Sequence, residues 1–118
     1  MIRLRTCAVL LAAIAVYSVL ACAQDKSKRP SPPGSAECKF ADGKTVHIDY
    51  SRPSVKSRKI FGGLVPFNKE WRTGANEATT FVTNSSLDVG GAKVPAGNYT
   101  LFTIPSQKQW TLIISKKT

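Results

Sequence analysis

Beyond residue 24 the chain is interrupted by turn-forming residues too often for helices to develop. Asp42-Gly43, Arg52-Pro53, Gly62-Gly63, Thr73-Gly74, Gly90-Gly91, Pro95-Ala96-Gly97 and Pro105 follow one another along it. Turn signals every ~8–12 residues mark a sandwich or barrel. Proline withholds a ladder donor, and glycine takes φ > 0 at no steric cost. Between these breaks apolar and polar residues alternate with the period of a strand. In residues 44–50, Val46, Ile48 and Tyr50 fall on one face and Thr45, His47 and Asp49 on the other. In residues 98–104, Tyr99 and Leu101 oppose Phe102 and Ile104, and in 110–115 Trp110, Leu112 and Ile114 share a face. Residues 37–40 and 78–82 read as further strands, and 87–89 with 92–94 as a hairpin about Gly90-Gly91. The apolar run "IFGGLVPF" (60–67) is either a bulged strand or an irregular loop plugging one end. No segment here holds a helical period. The expected class is all-β, an antiparallel β-sandwich, with a jelly-roll-like fold or an open barrel as variants.

The N-terminus follows another logic. Arg3 and Arg5 precede an uncharged, mostly apolar run (6–20), which small residues Ala21-Cys22-Ala23 close before Gln24. Basic, apolar, then A-x-A is the order of a secretory signal peptide, so residues 1–23 are expected to form a helical signal peptide removed after Ala23. Two alternatives stand beside it. Residues 6–23 approach the ~17–25 residues that span a bilayer, and Val19-Leu20-Ala21-Cys22 resembles a lipobox in which Cys22 would be lipidated. Each of these routes exports the protein, to the periplasm, the medium or a membrane anchor. Residues 24–36, rich in Lys, Ser and Pro, read as an extended solvated linker. That leaves 37–118 as one domain.

Export bears on charge and cysteine. Losing Arg3 and Arg5 lowers the formal charge of +10 to +8, still strongly basic. A domain this small buries only about 60% of its unfolded surface, so the core should be thin. Of three cysteines, Cys7 leaves with the leader and Cys22 is removed or lipidated, which strands Cys38. An odd thiol in a secreted chain points to a free thiol, an intermolecular bridge or a missing partner. The apolar strand 110–115 is followed by only three residues, and the domain is expected to be incomplete at its C-terminus.

Few chemistries suit this inventory. His47, Asp49 and Ser51 share a strand face, but neighbours at i and i+2 lie about 6.6 Å apart along a strand. A catalytic triad draws its hydrogen bonds from separate elements, so no catalytic residue is expected. One histidine, one lone thiol and no close carboxylate cluster give no metal-ligand spacing. The glycine pairs lack the strand–loop–helix context of a phosphate cradle. No cofactor is therefore expected. Nor is nucleic acid, because no aromatic residues interleave with the cations. The basic charge suits anionic lipid, lipopolysaccharide or a polyanionic glycan, or else it merely keeps the protein soluble.

The segment "WRTGANEATT" (71–80) concentrates what polar chemistry there is. Gly74 and Asn76 tolerate φ > 0, so it is expected to hand one strand to the next through a turn. Arg72, Asn76 and Glu77, with Arg58 or Lys59 nearby, would then form a polar rim. In it Arg grips a carboxylate or sulfate and Trp71 stacks on a sugar face. The structural alternative buries Trp71, lets Asn76 cap the turn and pairs Arg72 with Glu77.

Four segments in this order, "DYSRPSVKSRKIFGGLVPF", "WRTGANEATTF", "VPAGNYTLFTIP" and "WTLIISKKT", resemble the exported bacterial proteins grouped as domain-of-unknown-function family 2911. The likeness runs from about Cys38 to Thr118. It implies an envelope or secreted β-rich domain, in a family whose chains continue with further strands, and carries no reaction, substrate or catalytic residue. The function expected is a non-catalytic envelope or extracellular module binding a glycan or other anionic ligand through Arg58, Lys59, Trp71, Arg72, Asn76 and Glu77. The alternatives are a hydrolase completed by residues beyond this segment, and a structural or assembly protein of the envelope.

Overall fold

The computed structural model describes residues 25–117; the expected signal peptide, its cleavage site and Cys22 lie outside them. Seven strands are β1 (Pro33–Lys39), β2 (Thr45–Ser51), β3 (Thr80–Thr83), β4 (Leu87–Val89), β5 (Ala92–Val94), β6 (Gly97–Ile104) and β7 (Thr111–Ser115). Five form one antiparallel sheet in the order β1-β2-β3-β6-β7, and β4-β5 form a second, two-stranded sheet. Among the described residues the one helical element is a three-residue 3-10 turn, Lys26–Lys28. The all-β antiparallel class is therefore present, as a large sheet faced by a small one.

The turns expected from glycine carry the two tight hairpins. Gly43 takes φ 88° where β1 turns into β2, and the reversal is closed by Phe40 N–H donating to Lys44 O at 2.8 Å. Gly90 and Gly91 both adopt positive φ, 59° and 87°, the pair of left-handed residues that a two-residue hairpin requires. Asp88 Oδ1 accepts from Gly91 N–H at 2.8 Å and secures that turn.

Register puts the apolar residues in line. Ile48 stands opposite Phe81, and Phe81 opposite Tyr99, across three neighbouring strands. Leu101 faces Ile114 on the other side of β6. The β4-β5 hairpin folds over this face, so Phe81, Val94, Tyr99 and Leu101 are buried, with Leu87, Val89, Val46, Ile48 and Ile114 packed around them. Tyr99 is buried because its hydroxyl has a partner, donating to Pro95 O at 2.7 Å. Thr79, Thr83, Thr100 and Thr103 are also buried. The core is as thin as the length implied.

One boundary and one face differ from expectation, and one open alternative is decided. β1 starts at Pro33, not at residue 37, and pairs with β2 over its whole length from Pro33↔Ser51 to Lys39↔Thr45. An edge strand needs only its backbone to pair, so a Pro-Gly-Ser-Ala stretch with no apolar alternation still joins the ladder. Within β7 the shared face of Trp110, Leu112 and Ile114 is only partly inward. Ile114 meets the core, whereas Trp110 and Leu112 remain 45% and 51% exposed. The run 60–67 is the irregular loop of the two alternatives. Gly62 N–H donates to Val65 O, and Val65 N–H returns to Ile60 O, with Val65 buried.

Replacing Tyr99 by Phe removes one partnered, part-buried hydroxyl and leaves Pro95 O unsatisfied. We expect a loss of about 1 kcal/mol, read as a lower urea midpoint with unchanged m-value and an unaltered far-ultraviolet circular dichroism spectrum.

Candidate functional site

Between β2 and β3 the chain makes a long excursion, residues 52–79, that no hairpin of the sheet accounts for. Its middle is tied back at three points. Asn68 N–H donates to Pro105 O at 2.8 Å, and Trp71 and Thr103 exchange both backbone hydrogen bonds at 2.8 and 2.9 Å. Thr73 Oγ1 then meets Thr103 Oγ1 at 3.0 Å. Trp71 thus acts as a one-residue extension of the sheet beside β6, continuing the edge that β3 leaves open.

All five non-glycine residues with positive φ among the described residues lie in this excursion: Lys56, Ser57, Asn68, Thr73 and Asn76. Left-handed backbone costs an L-residue roughly 1–2 kcal/mol, most for a β-branched one such as Thr73. The surroundings hold it there. Thr79 Oγ1 donates to Thr73 O at 2.9 Å, and a Cβ on Gly74 would come within 3.3 Å of Ser51 O. Such strain concentrates where a loop must hold a particular shape.

The shape is a groove of about 490 Å³, within the range of small-molecule sites. Its apolar surfaces come from Val55, Ile60, Leu64, Val65 and Trp71, and its charged side chains are Arg58, Lys69, Arg72 and Glu70. Arg58 is oriented by two hydrogen bonds, Nε to Val55 O at 3.0 Å and Nη2 to Ser54 O at 2.7 Å. Trp71 also belongs to an edge-to-face aromatic group with Phe61 and Trp110, at ring separations of 6.0 and 6.5 Å. Phe61 and Trp110 themselves lie 4.8 Å apart.

The electrostatics are lopsided. Six of the seven carboxylates contact a cation or His47 within 4.0 Å, but none of those contacts involves Arg58, Lys59, Lys69 or Arg72. Glu70 is the seventh. The groove therefore presents three cationic side chains and one acidic one, with no ion pair between them.

The six expected site residues divide. Arg58, Trp71 and Arg72 line the groove, whereas Lys59, Asn76 and Glu77 do not. The expected Arg72–Glu77 pair does not form. Glu77 accepts two hydrogen bonds from Arg29 Nη1, at 2.8 and 2.9 Å, and has Lys26 Nζ at 3.5 Å. Asn76 Nδ2 donates to Ser31 O at 3.0 Å instead of capping its own turn. The reason is the intervening left-handed Asn76, which turns Glu77 toward the incoming N-terminal segment. Residues 26–31, read as a free linker, are strapped to this loop, and Ser31 reaches the groove. Val55, Ile60, Leu64, Lys69 and Glu70 were missed. The one sequence signal for them was an apolar run, 60–67, without alternation. His47 Nε2 and Asp49 Oδ1 do lean together, at 3.0 Å. Register sets them on the sheet face opposite the core, opposite Val82 and Thr80, and among the described residues no hydroxyl or thiol bonds to either.

The double hydrogen bond from Arg29 holds the Glu77 carboxyl down from 4.5 to about 2. A depressed carboxylate favours the folded clasp above its ordinary value, and that contribution is lost as pH falls from about 4.5 towards about 2. Both partners are accessible to salt. Glu77→Gln at neutral pH should mimic the acid form. Amide hydrogen exchange at Arg52, whose N–H donates to Pro32 O, should speed up several-fold in that variant while the β6 amides keep their protection. Unchanged exchange at Arg52 would show that the clasp holds nothing.

Searches of curated proteins and of solved structures returned no match. The family described as Protein of unknown function (DUF2911) matches residues 31–118, from the strap residue beside Asn76 through the last strand. That span contains the five-stranded sheet, the hairpin and the whole excursion that builds the groove, and on it the chain belongs to this family.

Proposed function

We propose that this domain is a non-catalytic binding module of an exported protein, and that its groove takes an anionic ligand, specifically the carboxylate or sulfate of an acidic glycan. The observation that carries the reading is the company Trp71 keeps. An indole forms one side of a groove that also holds Arg58, Lys69 and Arg72 without internal ion pairs. Guanidinium groups grip planar anions through paired donors, and an aromatic face packs on the apolar side of a sugar ring. The strained backbone of residues 56–76 supports the same reading, because a preshaped groove spares the ligand the cost of ordering the loop. Its place in the envelope rests on the basic, apolar, small-residue order of residues 1–23. No second reading has a specific observation in its favour, and the His47–Asp49 contact lacks a third group to act on.

Calorimetric titration of the full chain with a uronic-acid oligosaccharide and a neutral one of equal length tests this. We expect binding of the acidic ligand alone, weakened by added salt. Arg72→Ala should lower affinity about tenfold, roughly 1.4 kcal/mol, without changing the melting temperature. Equal binding of the neutral oligosaccharide, or an Arg72→Ala variant that binds as the parent does, would refute the assignment.

A further inference from the structure

Exposed large apolar side chains are not scattered over this molecule. Of the six among the described residues, Val55, Phe61, Leu64, Trp110 and Leu112 belong to the groove end, and only Phe40 lies elsewhere. Their grouping is set by contacts already described. Val55 and Leu64 border the groove beside Trp71, Phe61 and Trp110 stack edge-to-face with Trp71, and Leu112 is paired to Thr103, the backbone partner of Trp71. Their exposures run from 43% for Phe61 to 58% for Val55. A contiguous apolar crest on a small domain marks a surface that meets another phase or partner.

Charge selects which. Arg58 and Lys59 immediately precede Ile60-Phe61, Lys69 and Arg72 stand on either side of Glu70-Trp71, and Lys108 stands two residues before Trp110. All five cations are exposed, and none has a carboxylate within 4.0 Å among the described residues. Tryptophan, phenylalanine and leucine ringed by unpaired Lys and Arg is the composition that settles at a bilayer interface. The rings sit at headgroup depth, and each cation near an anionic surface adds to the attraction. A protein partner would need a large, well-fitted area with charges mostly at its rim. Here folding sets Arg58, Lys69 and Arg72 around Trp71, although cations and aromatics do not alternate along the chain.

We infer that the Phe61–Trp110 crest is a docking surface for a membrane rich in anionic phospholipid. It rests on the groove reading only in that both use the unpaired cations. The crest would hold the domain against the bilayer with Phe61, Leu64 and Trp110 at the acyl boundary, and the groove opening beside it would face headgroups or glycans at that surface.

Trp71 and Trp110 are the only two tryptophans in the chain, so tryptophan fluorescence, excited where tyrosine does not absorb, reports on this crest alone. It stays silent about the leader, whatever that segment does in a membrane. The full chain is mixed with vesicles of brominated phosphatidylcholine, with or without one quarter phosphatidylglycerol. Bromine on the upper acyl chain quenches only rings that reach it. We expect a blue shift and strong quenching with the anionic vesicles and little with the neutral ones. The effect should fall severalfold in an Arg58→Gln, Lys59→Gln double variant and also in Leu64→Ser, whose fold is checked by circular dichroism. Vesicles that sediment with the protein while its tryptophans stay unquenched would overturn the inference, as would equal quenching on neutral lipid. If soluble uronic-acid oligosaccharide still binds in that case, the groove reading survives alone. If neither anion is bound, both fall.

Discussion

Strand β6 is the member on which the rest of the domain leans. It has neighbours on both edges: β3 and then Trp71 on one side, and β7 along Thr100–Ile104 on the other. Its inward side chains, Tyr99 and Leu101, are the centre of the core. A five-stranded sheet stabilises itself mainly through cross-strand pairs and one buried face. In this thin domain that face is closed by a single short hairpin, β4-β5. The two hydrogen bonds between Trp71 and Thr103 then extend the ladder to a residue that lies in no strand. Through them the rigidity of β6 reaches residues 52–79.

That extension explains how a small domain can hold an elaborate loop. Five left-handed non-glycine residues would be a heavy burden on a free loop. Here the excursion is moored to β6 at Trp71 and Thr73, to Pro105 just beyond it at Asn68, to itself through Thr79, and to the N-terminal strap through Asn76 and Glu77. The cations it displays are left unpaired because nearly every carboxylate is engaged by a near neighbour along its own strand, turn or strap. Glu37 meets Lys39, Asp42 meets Lys44 and Asp88 meets Lys93, while Glu77 is taken by the distant Arg29. Charge separation between the groove end and the rest of the surface is thus a consequence of local pairing elsewhere.

Much of the sheet was legible before any coordinates. Alternation in residues 44–50 and 98–104 reports burial on one face, and Gly90-Gly91 fixes a hairpin by the φ values that only glycine adopts freely. β1 escaped detection at its start because an edge strand pairs through backbone and leaves no apolar signature in Pro33-Gly34-Ser35. The site was half legible. Arg58, Trp71 and Arg72 could be singled out by residue type. Their separation from Asn76 and Glu77 could not be foreseen, because the partners that draw those two away, Ser31 and Arg29, lie 45 and 48 positions back in the chain.

The amino-acid order alone determined the strand period, the turns, the basic surplus and the family, all of them properties that depend on neighbours within a few positions. The fold decided what depends on distance along the chain. It brought Arg29 to Glu77 across 48 positions, seated Trp71 on Thr103, and gathered Val55, Phe61, Leu64, Trp110 and Leu112 at one end. A pattern of period two says which face a residue occupies, but not which loop will lie against it. That is settled only when backbone groups far apart in the chain find one another as partners.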